Sequence, residues 1–162
     1  MLNLLVLPIL FILIYQDFTK YAVTLFLLIL LIIVQLSIGL WTDGWERTAT
    51  LFVTNVTITI VQLLMLKIYF RVRKVNNSSK LTNNVIGLGD IIFFLFLCMA
   101  FSPMNYIAFM IIALTLTLLV HVITKDRFQR IPLIGYLSIW YTIIAVTGVD
   151  TRSDMYLQNL FF

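Results

Sequence analysis

Long apolar runs alternate with short polar segments along this chain. The apolar runs cover residues 2–16, 21–41, 48–70, 85–101, 104–123 and 131–149. A helix that crosses a bilayer needs roughly 17–25 mostly apolar residues, so the first run is marginal and the others qualify. The first run lacks a basic segment before it and a small-residue cleavage site after it, which favours a retained helix over a signal peptide. The pattern predicts an all-α fold, a polytopic membrane helix bundle with about six transmembrane helices.

Composition agrees with a membrane protein. Of 162 residues, 62% are hydrophobic and 11% are charged, whereas soluble domains average about 25% charged residues. This length allows one compact bundle, so we expect a single integral-membrane domain over residues 1–162. The single cysteine, Cys98, excludes an internal disulfide and a cysteine-based zinc site. We expect membrane lipids as neighbours, and neither nucleic acid, metal nor cofactor.

The distribution of lysine and arginine predicts the orientation. With the N-terminus outside, the inner connections would carry most of the basic residues: Lys20, Arg71, Arg73, Lys74, Lys80, Lys125, Arg127 and Arg130. The outer side would then carry only Arg47 and Arg152. This asymmetry favours both termini outside, a basic cytoplasmic loop at 71–84 and an outer tail at 150–162.

Two aspartates stand out once this orientation is assumed. Asp17 directly follows the first apolar run and Asp90 lies near the start of the fourth, so both are expected at the cytoplasmic boundary. Two carboxylates that meet there repel each other, so one holds a proton while the other stays ionised. Such a pair can activate water and hydrolyse a peptide bond. It titrates as a unit, so the sequence assigns neither carboxylate its role.

Simpler interpretations exist for each residue. An aspartate at a helix start is a common cap, which would explain Asp90 alone, and Asp17 alone could be an interfacial residue. Gly87 and Gly89 could permit close helix packing or let a substrate backbone approach Asp90. His121 could make an interhelical hydrogen bond, tune the aspartates or bind metal.

Three short segments resemble one family. GLGD at residues 87–90 is similar to the G-x-G-D signature of membrane aspartic proteases. The presenilin branch places its first aspartate on the preceding helix and adds a P-A-L motif, whereas here two helices intervene and that motif is missing. YQDFTKYAV at 15–23, NVIGLGDIIFF at 84–94 and IPLIGYLSIW at 131–140 instead resemble the type IV prepilin peptidase branch.

The resemblance implies a membrane aspartic endopeptidase that removes the leader of type IV pilin-like precursors. It would act in the inner (plasma) membrane of a prokaryote with its active site facing the cytoplasm. Asp17 and Asp90 would be catalytic, Gly87 and Gly89 would form the substrate loop, and a pilin-like precursor would be the partner. Ile92 stands where many members have lysine, which bears on substrate preference.

Larger members of the family carry a cytoplasmic insertion that this chain does not have. The chain has no insertion with paired C-x-x-C motifs, which implies a peptidase-only short form.

The alternative function is that of a non-catalytic transporter or a secretion and assembly subunit, whose carboxylates bind ions or protons. The sequence leaves the oligomeric state open.

Overall fold

The regular structure of the chain is helical throughout the described part. A computed structural model describes residues 5–20, 22–72, 87–123, 132–148 and 151–152. Its helices, in chain order, are α1 (Leu7–Lys20), α2 (Leu25–Val72), α3 (Leu88–Ala100), α4 (Pro103–Ile123) and α5 (Leu133–Val146). The all-α class is confirmed. Most of the predicted loop 71–84 and nearly all of the predicted tail 150–162 lie outside the described residues.

Two of these helices contain segments that are long and apolar enough to cross a membrane, Leu25–Met65 and Pro103–Ile123. Leu88–Ala100 and Leu133–Val146 are apolar but shorter. The structure thus supports membrane-crossing helices by length and composition, and the count of about six spans stays a prediction.

The long helix α2 folds back on itself at Gly44. Gly44 has φ 77° and ψ 175°, a conformation that is essentially restricted to glycine. Leu28 lies beside Gly89, while Asn55 is hydrogen-bonded to the carbonyl of Cys98. In a straight helix Leu28 and Asn55 would be about 40 Å apart, yet Gly89 and Cys98 are separated by only about 14 Å of helix. The two arms, 25–43 and 45–72, therefore run in opposite directions.

The sequence predicted this hairpin as two helices, 21–41 and 48–70, with a polar connection between them. The structure instead keeps residues on both sides of Gly44 helical. The turn thus needs little more than one glycine, because its backbone conformation reverses the chain without a loop. We call this extremity of the bundle the hairpin end.

Aromatic packing joins the helices α3, α4 and α5. The rings of Phe96 and Tyr141 meet edge to face with centroids 5.1 Å apart. Phe101 stacks on Phe109 at 4.7 Å and meets Tyr141 edge to face at 5.6 Å. Ring pairs of this kind contribute about 0.5–1.5 kcal/mol beyond their buried area, so this cluster fixes α3, α4 and α5 relative to one another.

Polar contacts join the second arm of α2 to the end of α3. The Asn55 amide donates to the carbonyls of Cys98 and Phe101 at 2.9 Å and 2.8 Å. A helix leaves its last carbonyls without intrahelical partners, so Asn55 supplies the missing donors. Thr59 Oγ1 lies 2.7 Å from the Tyr106 hydroxyl and 3.3 Å from Cys98 Sγ. The single cysteine is therefore a buried member of an interhelical network.

The hairpin end is closed by Arg152. Its Nε lies 3.0 Å from Asp43 Oδ2, with both side chains largely buried. Its Nη2 lies 3.4 Å from Thr48 Oγ1, and its backbone carbonyl accepts a hydrogen bond from Arg47 at 3.2 Å. Gly39 leaves room for the guanidinium, because a Cβ there would lie 2.5 Å from Nη1.

Candidate active site

Asp17 lies at the opposite extremity of the bundle, which we call the carboxylate end. It occupies the last turn of α1, which continues past the apolar run to Lys20. Its side chain is only 6% exposed, and Oδ2 accepts a 2.6 Å hydrogen bond from the backbone N–H of Gly135. A buried carboxylate needs donors of this kind, and here the donor comes from the first turn of α5.

The turn after Asp17 is held by its neighbour Gln16. Gln16 Oε1 accepts hydrogen bonds from the backbone N–H and the hydroxyl of Thr24, at 3.1 Å and 3.0 Å. The carbonyl of Thr24 in turn accepts from the backbone N–H groups of Leu27 and Leu28 in the first turn of α2. The end of α1 and the start of α2 are thus fixed to each other beside Asp17.

Asp90 lies in the first turn of α3, as the sequence predicted. Its Oδ2 accepts a 3.1 Å hydrogen bond from the backbone N–H of Gly87, the residue that precedes the helix. Asp90 is half-buried. This geometry is that of a helix cap, but among the described residues the hydrogen bond engages only Oδ2, so capping and chemistry are compatible in the same side chain.

The first turn of α5 brings the two aspartates together. Gly135 binds Asp17, and a Cβ at Gly89, the neighbour of Asp90, would lie 3.4 Å from Ile134 Cδ1. The two carboxyl groups are near enough for the charge of Asp90 to act on Asp17. Residues 73 positions apart along the chain therefore share one end of the bundle.

The two glycines of the predicted substrate loop occupy different surroundings. Gly87 is exposed, and a Cβ there would lie 3.3 Å from Asp90 Oδ2. Gly89 faces α5 and α2, where a Cβ would meet Ile134 and Leu28 at ordinary contact distances of 3.4 Å and 3.7 Å. A side chain at Gly87 would thus crowd the carboxylate of Asp90, while Gly89 allows close helix packing.

No hydrogen bond joins His121 or Asp43 to either aspartate in the described part of the chain. His121 lies in the last turn of α4, half-buried, and its Nδ1 has no hydrogen-bond partner in the described part of the chain. Asp43 is at the hairpin end with Arg152. Within the described ranges no group of three or more His, Cys, Asp or Glu side chains could hold a metal ion.

Sequence reasoning missed the contribution of Gly135 and Phe18. An alanine Cβ at Gly135 would lie 2.7 Å and 2.9 Å from two carbons of the Phe18 ring and 3.3 Å from Asp17 Oδ2. The ring of Phe18 also meets Tyr136 edge to face at 5.1 Å. The proline and glycine in IPLIGYLSIW were a usable signal, but only the fold shows that this turn contacts Asp17.

Chemically, the arrangement offers two carboxyl groups near one surface of the bundle. A backbone N–H donates to each of them, from Gly135 to Asp17 and from Gly87 to Asp90. A pair that shares a proton has a carboxylate to take a proton from water and a carboxylic acid to donate one to a carbonyl or leaving amine.

Comparisons of this chain with family models, with curated proteins and with solved structures found no match. The resemblance to prepilin peptidases thus rests on the three short segments and on the shared position of the aspartates.

Proposed function

We propose that this protein is a membrane aspartic endopeptidase that removes the leader of pilin-like precursors at the cytoplasmic boundary of the membrane. Asp17 and Asp90 are its catalytic pair. The observation that carries the proposal is their convergence at the first turn of α5, from helices far apart in the sequence. An isolated cap or an isolated interfacial carboxylate does not require a second carboxylate at the same place.

A membrane setting is supported by the outer surfaces of the helices. Large apolar side chains are exposed along them, including Phe11, Phe26, Ile111 and Leu118, each more than half exposed. Exposure of this many large apolar side chains is what a membrane-embedded bundle requires, and large exposed apolar patches mark membrane or protein contacts. Lipid is the environment that such a surface fits.

The fold-back of α2 supports a polytopic arrangement. The apolar segment Leu25–Met65 is 41 residues long, about twice the roughly 20 residues that cross a bilayer. Reversal at Gly44 makes it two spans. With α1, α3, α4 and α5 the bundle has six, with both termini outside and the carboxylate end toward the cytoplasm of a prokaryotic cell.

In this mechanism one carboxylate of the pair removes a proton from a water molecule, which attacks the scissile carbonyl. The other carboxyl group, protonated, donates its proton to the carbonyl oxygen as the tetrahedral intermediate forms. The first group then passes the proton taken from water to the leaving amine as the C–N bond breaks, and the other takes back a hydroxyl proton. The substrate is extended near the cut, because a helix hides its carbonyls in its own hydrogen bonds. Its backbone approaches past Gly87, which is exposed and has no side chain of its own beside Asp90 Oδ2.

The test is co-expression with a pilin-like precursor, following leader removal by gel shift and mass spectrometry. Asp17→Asn and Asp90→Asn should each lower cleavage by about 10²–10⁴-fold, since each removes one of the two proton-transfer groups. Asparagine keeps a hydrogen-bond acceptor of the same shape, so helix content and thermal stability should stay close to those of the parent protein.

Glu46→Gln is the matched control, because Glu46 is an exposed carboxylate near the hairpin end. It should cleave like the parent. Cleavage that survives both aspartate changes would refute the proposal. Proton- or ion-dependent flux through reconstituted protein, without leader removal, would establish the transport alternative instead.

A further inference from the structure

The first turn of α5 lacks a cap of its own. Pro132 precedes the helix and makes no side-chain hydrogen bond to it, although helices leave their first backbone N–H groups without intrahelical partners. A capping side chain normally accepts from the second or third of these groups. The third residue of α5 is Gly135, and the group that accepts from it is Asp17 of α1. The backbone N–H of Ile134 also acts on this carboxylate.

We propose that this turn is a positioning element for the catalytic pair, with Gly135 and Phe18 as positioning residues that set the orientation of Asp17. The inference rests on the proposed peptidase function and adds residues to its machinery. Gly135 acts through its backbone N–H and through the absence of a side chain. Phe18 acts by occupying the space that a side chain at Gly135 would need.

Contacts on both sides of α5 support this role. On one side Gly135 donates to Asp17 at 2.6 Å. On the other, the preceding residue Ile134 packs against Gly89, the neighbour of Asp90. One turn of helix thus touches both elements that carry a carboxylate, and the spacing between Asp17 and Asp90 depends on where that turn lies.

Phe18 packs against the first turn of α5 and limits its movement. Its ring contacts the Cα side of Gly135 and meets Tyr136 edge to face, with centroids 5.1 Å apart. Because Phe18 directly follows Asp17 on α1, any displacement of its ring is transmitted to the backbone that bears the carboxylate. A methyl group at Gly135 must push this ring aside, and it also lies 3.3 Å from Asp17 Oδ2.

The experiment compares kinetic constants of purified full-length variants on a pilin-like precursor. Gly135→Ala should lower kcat by about 10- to 100-fold, since displacing a catalytic group by about 1 Å costs about that much. KM should change by less than about threefold, because substrate binding does not use Gly135. The pH dependence of kcat should also shift, since the charge interaction between Asp17 and Asp90 depends on their separation.

Rescue distinguishes positioning from general damage. Phe18→Leu removes the ring atoms that a methyl group at Gly135 would meet, so the double variant Gly135→Ala/Phe18→Leu should recover much of the lost kcat. Gly39→Ala is the matched control, because its methyl group would crowd the Arg152 guanidinium at the hairpin end. It should lower stability comparably while leaving kcat and its pH dependence unchanged.

The outcomes separate this inference from the peptidase proposal. Cleavage that survives Asp17→Asn and Asp90→Asn overturns the proposed function. Cleavage that depends on both aspartates, but has the parent kcat and pH dependence in Gly135→Ala, overturns only the positioning role. If Gly135→Ala alone does not fold, Phe18→Leu decides. A lowered kcat with a shifted pH dependence in Phe18→Leu supports the inference, and parent values of both overturn it.

Discussion

The carboxylate of Asp17 accepts a 2.6 Å hydrogen bond from the backbone N–H of Gly135, which lies 118 positions later in the chain. This contact joins the end of α1 to the start of α5 and brings Asp17 beside the helix that carries Asp90. The proposed activity depends on this junction. The stability of the bundle depends also on the contacts at the hairpin end.

The pH dependence of cleavage should be bell-shaped. Below the lower macroscopic pKa of the pair both carboxyl groups are protonated, so no base remains to activate water. Above the upper macroscopic pKa both are ionised, so no acid remains to protonate the carbonyl oxygen. Measuring kcat/KM in detergent micelles from about pH 3 to about pH 9, a range that starts below the ordinary carboxyl pKa of about 4, tests this. A rate that rises to a plateau and never falls would contradict a shared proton.

The position of the cut should follow from the position of the pair. A pair at the cytoplasmic boundary reaches only the junction between a precursor's basic leader and its hydrophobic helix. Replacing the small residue before the scissile bond, glycine by family resemblance, with a bulky one should stop cleavage. Changes deep in the hydrophobic helix should have little effect. Mapping the products by mass spectrometry checks this, and cuts in the middle of the span would instead assign the protein to the presenilin-like branch.

The predicted orientation can be tested by cysteine labelling in intact cells. The native Cys98 is fully buried, so it should not react with a membrane-impermeant maleimide. Glu46→Cys at the hairpin end should be labelled from outside, because the first arm of α2 leads outward in the proposed topology. Asn77→Cys in the basic loop should be labelled only after the cells are opened. The reverse pattern would invert the proposed topology.

The ion pair at the hairpin end should contribute strongly to stability. Arg152→Ala leaves Asp43 largely buried without its partner, which typically costs about 3–5 kcal/mol. Thermal unfolding in detergent should show this loss, while Glu46→Gln at a nearby exposed position should change stability by less than about 0.5 kcal/mol.

A double-mutant cycle assigns that loss to the pair. Asp43→Asn combined with Arg152→Ala should be less destabilising than the sum of the single changes, with a coupling of about 0.5–3 kcal/mol. Strict additivity would show that the Arg152 side chain acts through its other contacts, such as that with Thr48, and not through Asp43.

The apolar pattern by itself determined the all-α fold class of this protein. Runs of Leu, Ile, Val and Phe of helical length predicted α-helices, because hydrophobic periodicity and length are local properties of the sequence. The same pattern placed Asp90 in the first turn of a helix, where the structure has it. It also placed Asp17 near the end of α1, although the helix continues one turn further to Lys20.

Only the tertiary structure decided which residues meet. Nothing local distinguishes Gly135 from a packing glycine, since its partners Asp17 and Phe18 are more than a hundred positions away. The sequence predicted a reversal between the helices 21–41 and 48–70, but not that Gly44 makes it without a loop, because an isolated glycine in a helical pattern does not reveal a positive φ. Contacts between distant segments depend on how helices pack, and packing is a property of the whole bundle that no single stretch of sequence carries.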